Sequence, residues 1–127
     1  MMMNSYHVLI VEDQSQIAVL LGILVEEIYP GAQVLLARNG QEALEIYEES
    51  PANLIITDKN MPMMDGCELT RILRQRGITI PIIIMSADPY LEEQAKEAGA
   101  TLFTDKKRIV KDLPQLLLPL LSALPLN

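Results

Sequence analysis

Asn53-Leu54-Ile55-Ile56-Thr57-Asp58-Lys59-Asn60-Met61-Pro62-Met63-Met64-Asp65-Gly66 is the stretch on which the fold turns. Its apolar run, Asn53 to Thr57, is continuous rather than alternating. That pattern suits a strand buried on both faces, as strands in parallel sheets are. The run stops at a carboxylate, Asp58. A loop follows, and a helix is predicted from about Gly66 to Gln75.

The same unit recurs on both sides. Upstream, Tyr6 to Val11 is a short apolar run, after which Ile17, Leu20, Leu21, Leu24 and Ile28 fall at helical spacing. Ala32 to Ala37 is a second run. Asn39 with Glu42 resembles a capping box that opens a helix through Tyr47. Downstream, Ile80-Pro81-Ile82-Ile83-Ile84-Met85 is the most strand-like segment, with Pro81 tolerable near a strand start. Tyr90 to Ala98 is a weaker helix, with few core anchors beyond Leu91, Ala95 and Ala98, and Gly99 stops it. Thr101 to Thr104 is a short fifth strand, and Ile109 to Leu124 closes the chain as a helix. Five short strands interleaved with five helices predict an α/β fold, a single doubly wound five-stranded parallel sheet. With 127 residues the chain is expected to be one domain over 1–127, with its core at about 6–122.

Composition excludes several classes. Half the residues are hydrophobic and 21% are charged, so the chain is not of disordered type. A formal net charge of −7 argues against sequence-independent nucleic-acid binding, which needs cations against phosphates. Cys67 is the single cysteine, so no internal disulfide forms, and it reads as a half-buried apolar residue. His7 is the single histidine, which disfavours a zinc site. Met1-Met2-Met3-Asn4-Ser5 has no basic region leading into a long apolar stretch. The expectation is a soluble cytoplasmic protein without a membrane span.

In doubly wound sheets, ligands bind beyond the carboxyl ends of the strands, near a switch in strand order. Glu12 and Asp13 follow the first predicted strand, Asp58 the third, Ser86 the fourth and Lys106 the fifth. Clustered carboxylates repel one another, and a divalent cation offsets that repulsion. Oxygen ligands select a hard ion such as magnesium. A carboxylate can also attack phosphorus, with cations and hydroxyls holding the equatorial oxygens. Each residue has a plainer explanation when taken alone. Asp13 could cap the first helix, Asp58 could form a turn, and Lys106 could be a solvated lysine. Their joint placement at the strand ends favours the chemical reading.

These segments, together with Ala37-Arg38-Asn39-Gly40-Gln41-Glu42-Ala43-Leu44 and Ala98-Gly99-Ala100, resemble the response-regulator receiver family over almost the whole chain. The stretch from Asp58 to Gly66 carries the resemblance most specifically. The resemblance implies a flavodoxin-like fold and a phosphoacceptor switch of two-component signalling. Asp58 would accept the phosphoryl group. Asp13 would ligate Mg2+ directly, Glu12 through water, and Asn60 by its backbone carbonyl. Ser86 and Phe103 would be the switch pair, and Lys106 the phosphoryl-binding lysine. Implied partners are a histidine kinase or phosphotransfer protein and a downstream protein or a second copy. No direct nucleic-acid or membrane contact is implied. The domain would catalyse only its own phosphorylation and dephosphorylation, so it is not otherwise an enzyme.

Two departures stand out. Lys107 occupies the place where the family usually has proline after a typically cis bond. A cis bond before a non-proline residue costs roughly 2.5–4 kcal/mol, so a trans Lys106–Lys107 bond is expected. Pro114 falls in the first turn of the last helix, whereas Pro119 is expected to bend or break it. Leucines surround nearly every face of that helix, which suggests a contact surface besides the sheet-facing one. Met61, Met63 and Met64 are expected to pack around the loop after the third strand rather than bind a soft metal.

Rival readings have specific obstacles. A phosphatase or phosphotransferase with an aspartate nucleophile needs a second acid where Asn60 stands. A nucleotide or flavin site needs a glycine-rich phosphate loop that the sequence lacks. A receiver-like interaction module that is never phosphorylated remains an alternative. So does a receiver excised from a longer regulator or hybrid kinase.

Overall fold

The computed structural model describes residues 6–122. Five strands, β1 (His7–Val11), β2 (Gln33–Ala37), β3 (Leu54–Asp58), β4 (Ile82–Ser86) and β5 (Leu102–Asp105), form one parallel sheet in the order β2-β1-β3-β4-β5. The helices are α1 (Ser15–Ile28), α2 (Gly40–Glu49), α3 (Gly66–Gln75), α4 (Glu92–Ala98) and α5 (Ile109–Ser122). Among the described residues no helix is long and apolar enough to cross a membrane.

The period of two in a strand sorts the core into two layers. Val8, Ile10, Leu54, Ile56, Ile83 and Met85 face a layer completed by α1 and α5. Leu9, Val11, Ile55, Ile82 and Ile84 face the other, completed by α2, α3 and α4. Every residue of β3 and β4 is buried, as a continuous apolar run requires. Strand order reverses at β1, which pairs with β2 on one side and β3 on the other. The crevice of the fold therefore opens at the carboxyl ends of β1 and β3.

Local chemistry sets several boundaries. The Asn39 side chain accepts a hydrogen bond from the Glu42 amide at 2.8 Å and starts α2. Glu42 reaches back to the Arg38 amide, also at 2.8 Å, one residue earlier than a capping box would. Asp65 caps α3 through the Glu68 amide at 2.9 Å. Gly99, at φ 105°, ends α4 in the left-handed conformation that glycine adopts without strain.

Some expectations need correction. Asp58 and Ser86 are the last residues of β3 and β4 rather than residues beyond them. Their backbones are thereby held in the sheet ladder. The weak fourth helix is shorter than expected, and a 3-10 turn, Pro89–Leu91, precedes it. Cys67 is fully buried, not half-buried, and burial pushes its thiol pKa up. Pro119 does not break α5, which continues to Ser122. Pro119 is exposed, and its missing N–H removes a single hydrogen bond of the helix, the one to the Gln115 carbonyl. The predicted continuation to Leu124 lies outside the described residues, as does Met1 to Ser5. One stripe of α5, Ile109, Leu113 and Leu117, covers the sheet, while Leu118 is 55% exposed.

Candidate phosphoacceptor site

The acids at the ends of β1 and β3 converge. One carboxylate oxygen from each of Glu12, Asp13 and Asp58 lies within 4.8 Å of the others. Glu12 and Asp58 are buried and Asp13 is exposed, so the cluster opens toward solvent on the Asp13 side. Asp13 does not cap α1. The N-cap position belongs to Gln14, whose side chain makes no capping bond. The Gln14 amide donates instead to Glu12 Oε2 at 3.0 Å.

Lys106 enters from the first residue after β5. Its Nζ donates to Asp58 Oδ2 at 2.7 Å and to Glu12 Oε2 at 3.3 Å. Glu12 Oε1 lies 3.0 Å from the same ammonium, but out of line for a hydrogen bond. It is buried and accepts none among the described residues. The Lys106–Lys107 bond is trans, as no described peptide bond is cis. Lysine in place of proline therefore still lets Lys106 reach Asp58.

The electrostatics follow from burial. Burial pushes the Glu12 carboxyl pKa up against the bonds from Gln14 and Lys106, and the Asp58 charge adds to the rise. Burial also works against the Lys106 ammonium. The bonds and charges of Asp58 and Glu12 outweigh it and hold the Lys106 pKa above its ordinary value. Three carboxylates against one ammonium leave two negative charges in excess, which one dication would cancel. Hard oxygen donors with two negative charges in excess fit magnesium better than a softer ion.

The remaining sequence-predicted residues surround this center. Ser86 is buried at the end of β4, and its Oγ accepts a hydrogen bond from the Asp88 amide at 3.1 Å. Its proton has no acceptor among the described residues. Phe103, in β5, is half-buried against the layer containing Ile84. Asn60 is exposed two residues beyond Asp58. Gly66 packs under the site. A Cβ there would come within 2.4 Å of the Asp58 carbonyl oxygen, so no side chain fits without moving the Asp58 backbone. Met61 and Met64 pack into the core layer below, as expected. Met63 does not. It is 80% exposed, and its φ of 72° turns it away at the loop tip.

Sequence reasoning missed two features. Lys59 Nζ pairs with Asp65 Oδ2 at 3.2 Å. Arg74 donates to the carbonyls of Gly99, Ile78 and Ile80 at 2.8–2.9 Å, and so ties the far ends of α3, β4 and α4 together. Lysine directly after the acid was a legible signal for the first. Nothing in the spacing of Arg74 announced the second.

Comparison with known proteins agrees with this geometry. The response regulator receiver domain family matches residues 8–117. The chain is 37% identical over 103 residues to the two-component response regulator ORR41 of Oryza sativa subsp. japonica, covering 78% of this chain and 81% of that protein. It is 36% identical over 101 residues to sporulation initiation phosphotransferase F of Bacillus subtilis, covering 78% and 79%. Over 66 residues it is 35% identical to the sensor histidine kinase RcsC of Salmonella typhimurium, where the match spans 52% of this chain and only 7% of the kinase. The Francisella response regulator 1452 receiver domain superposes with a TM-score of 0.83 at 27% identity, covering 94% of this chain and 98% of that one. The chain belongs to the response-regulator receiver family, the receiver domains of two-component systems.

Proposed function

We propose that this domain is a magnesium-dependent phosphoacceptor switch in which Asp58 takes a phosphoryl group from a phosphohistidine on a kinase or phosphotransfer protein. The carrying observation is the convergence of Glu12, Asp13 and Asp58 within 4.8 Å, with Lys106 Nζ 2.7 Å from Asp58. Asp58 Oδ2 is occupied by Lys106, while Oδ1 accepts no hydrogen bond among the described residues and keeps its lone pairs for phosphorus. Its attack forms an O–P bond as the donor's N–P bond breaks, and the imidazole nitrogen leaves with the electron pair. Glu12, Asp13 and the Asn60 carbonyl would hold Mg2+ with Asp58. The ion would supply charge neutralisation at the phosphoryl oxygens.

Lys106 then follows the negative charge from Asp58 Oδ2 to a phosphoryl oxygen. The uncommitted Ser86 proton is donated to another. Moving Ser86 breaks its bond with the Asp88 amide and frees the start of the β4–α4 connection. Phe103, paired with Ile84 in the sheet, changes position, and the α4–β5–α5 face changes its preferred protein partner. Phosphorylation biases an existing equilibrium rather than creating a shape. The domain turns over no substrate beyond its own phosphoryl group, and we place it in the cytoplasm.

Incubation with acetyl phosphate and magnesium, followed by intact-mass measurement, tests the reading. One added phosphoryl group on the wild type, none on Asp58→Asn and none with chelator are expected. Equal modification of Asp58→Asn would overturn it.

A further inference from the structure

We propose that Lys59 is a positioning residue for the metal, acting through an ion pair with Asp65 that closes the loop carrying Asn60. The proposal rests on the phosphoacceptor reading above. The Lys59 side chain is only 12% exposed, unusually buried for a lysine beside an exposed loop. Its Nζ lies 3.2 Å from Asp65 Oδ2, while Asp65 Oδ1 caps α3 through the Glu68 amide at 2.9 Å. Burial alone would raise the Asp65 pKa, yet the Glu68 amide, Lys59 and the Cys67 amide together hold it below its ordinary value.

The backbone closes at the same place. The Gly66 amide donates to the Lys59 carbonyl at 2.9 Å, and the Lys59 amide donates to Met85 in β4 at 2.8 Å. The two ends of the loop are thus pinned to the sheet and to α3. Between them Asn60, Pro62 and Met63 are exposed, and Met63 is held in the left-handed region. Met61 and Met64 anchor the loop to the core layer below, while the course of the exposed backbone at Asn60 is fixed from its base. The Lys59–Asp65 pair is the side-chain part of that base. Groups that orient a ligand without touching the metal commonly shift metal affinity by about 10-fold or more.

The test is Mg2+ titration of the full chain, followed by backbone amide NMR, for the wild type, Lys59→Met, Lys59→Arg, Asp65→Asn and the Lys59→Met/Asp65→Asn double variant. Asparagine keeps the α3 cap, and the same spectra report folding. Positioning predicts about 10-fold weaker binding in both Lys59→Met and Asp65→Asn, no further loss in the double variant, and wild-type affinity in Lys59→Arg. A purely electrostatic influence predicts opposite signs. Lys59→Met would leave an unpaired carboxylate and tighten binding, whereas Asp65→Asn would leave an unpaired ammonium and weaken it. Opposite signs, or unchanged affinity, overturn the proposal. A wild type that binds no Mg2+ overturns the phosphoacceptor reading instead.

Discussion

Asp13→Asn should make the metal-free protein more stable and remove most of what magnesium adds. The acid oxygens lie within 4.8 Å of one another. Two unit charges at that distance repel by about 3.5 kcal/mol at an effective dielectric of 20, and by about 0.9 kcal/mol in water. Asp13 is exposed, so its repulsion lies toward the lower figure, and Lys106 offsets part of it. With two acidic neighbors, a gain of roughly 1–2 kcal/mol is expected. The wild type regains that deficit when a dication binds. At 100 times its dissociation constant, bound magnesium adds about 2.7 kcal/mol. The assay is urea unfolding of both proteins with chelator and with saturating magnesium. The expected result is a crossing, with the variant more stable without metal and the wild type more stable with it. Glu27→Gln, which removes an exposed carboxylate from α1 away from the cluster, should show no crossing. The reasoning fails if Asp13→Asn lowers metal-free stability, or if its magnesium gain equals that of the wild type.

Lys106→Met should cost the metal-free protein about 2–3 kcal/mol, because it leaves two buried acids without their cation. Denaturant unfolding measures this, and Asp58 should still be modified by acetyl phosphate with magnesium. Gly66→Ala should cost at least about 2 kcal/mol, since its Cβ would meet the Asp58 carbonyl oxygen at 2.4 Å. It should also weaken magnesium binding in the same titration. Tyr6→Phe should be neutral or slightly stabilising at pH 7. The Tyr6 hydroxyl is buried and makes no hydrogen bond among the described residues. Burial, with the nearby Tyr29, pushes its pKa up to about 12. The unfolded tyrosine ionises near 10, so wild-type stability from this group is intact below pH 10 and falls as pH rises toward 12. The loss should be on the order of 1–2 kcal/mol. Tyr6→Phe should lack that part of the alkaline decline, and unfolding at pH 7, 10 and 11.5 would detect the difference.

The alternation of apolar runs with helical periods made the fold legible, because residues buried on both faces cannot alternate with polar ones. The runs from Asn53 and Ile80 became β3 and β4 with their ends moved by one or two residues. Such shifts are expected where hydrogen bonding, not hydrophobicity, sets the boundary. Asn39 and Gly99 announced helix ends because capping is local chemistry. Pro119 did not break α5, because a proline removes one backbone donor but leaves the hydrogen bonds of the neighboring turns to carry the helix on to Ser122.

By itself the sequence determined which residue types stand at the ends of the strands, and hence that Glu12, Asp13, Asp58, Ser86 and Lys106 could serve one site. Tertiary structure alone decided their distances. Lys106 is 48 residues from Asp58 in sequence, and its 2.7 Å approach exists because β3, β4 and β5 are neighbors in the sheet. The Glu12–Lys106 ion pair, the collision space at Gly66 and the Lys59–Asp65 closure are likewise products of packing. A one-dimensional pattern records which groups a chain carries, while the energy of a charge depends on what surrounds it in three dimensions.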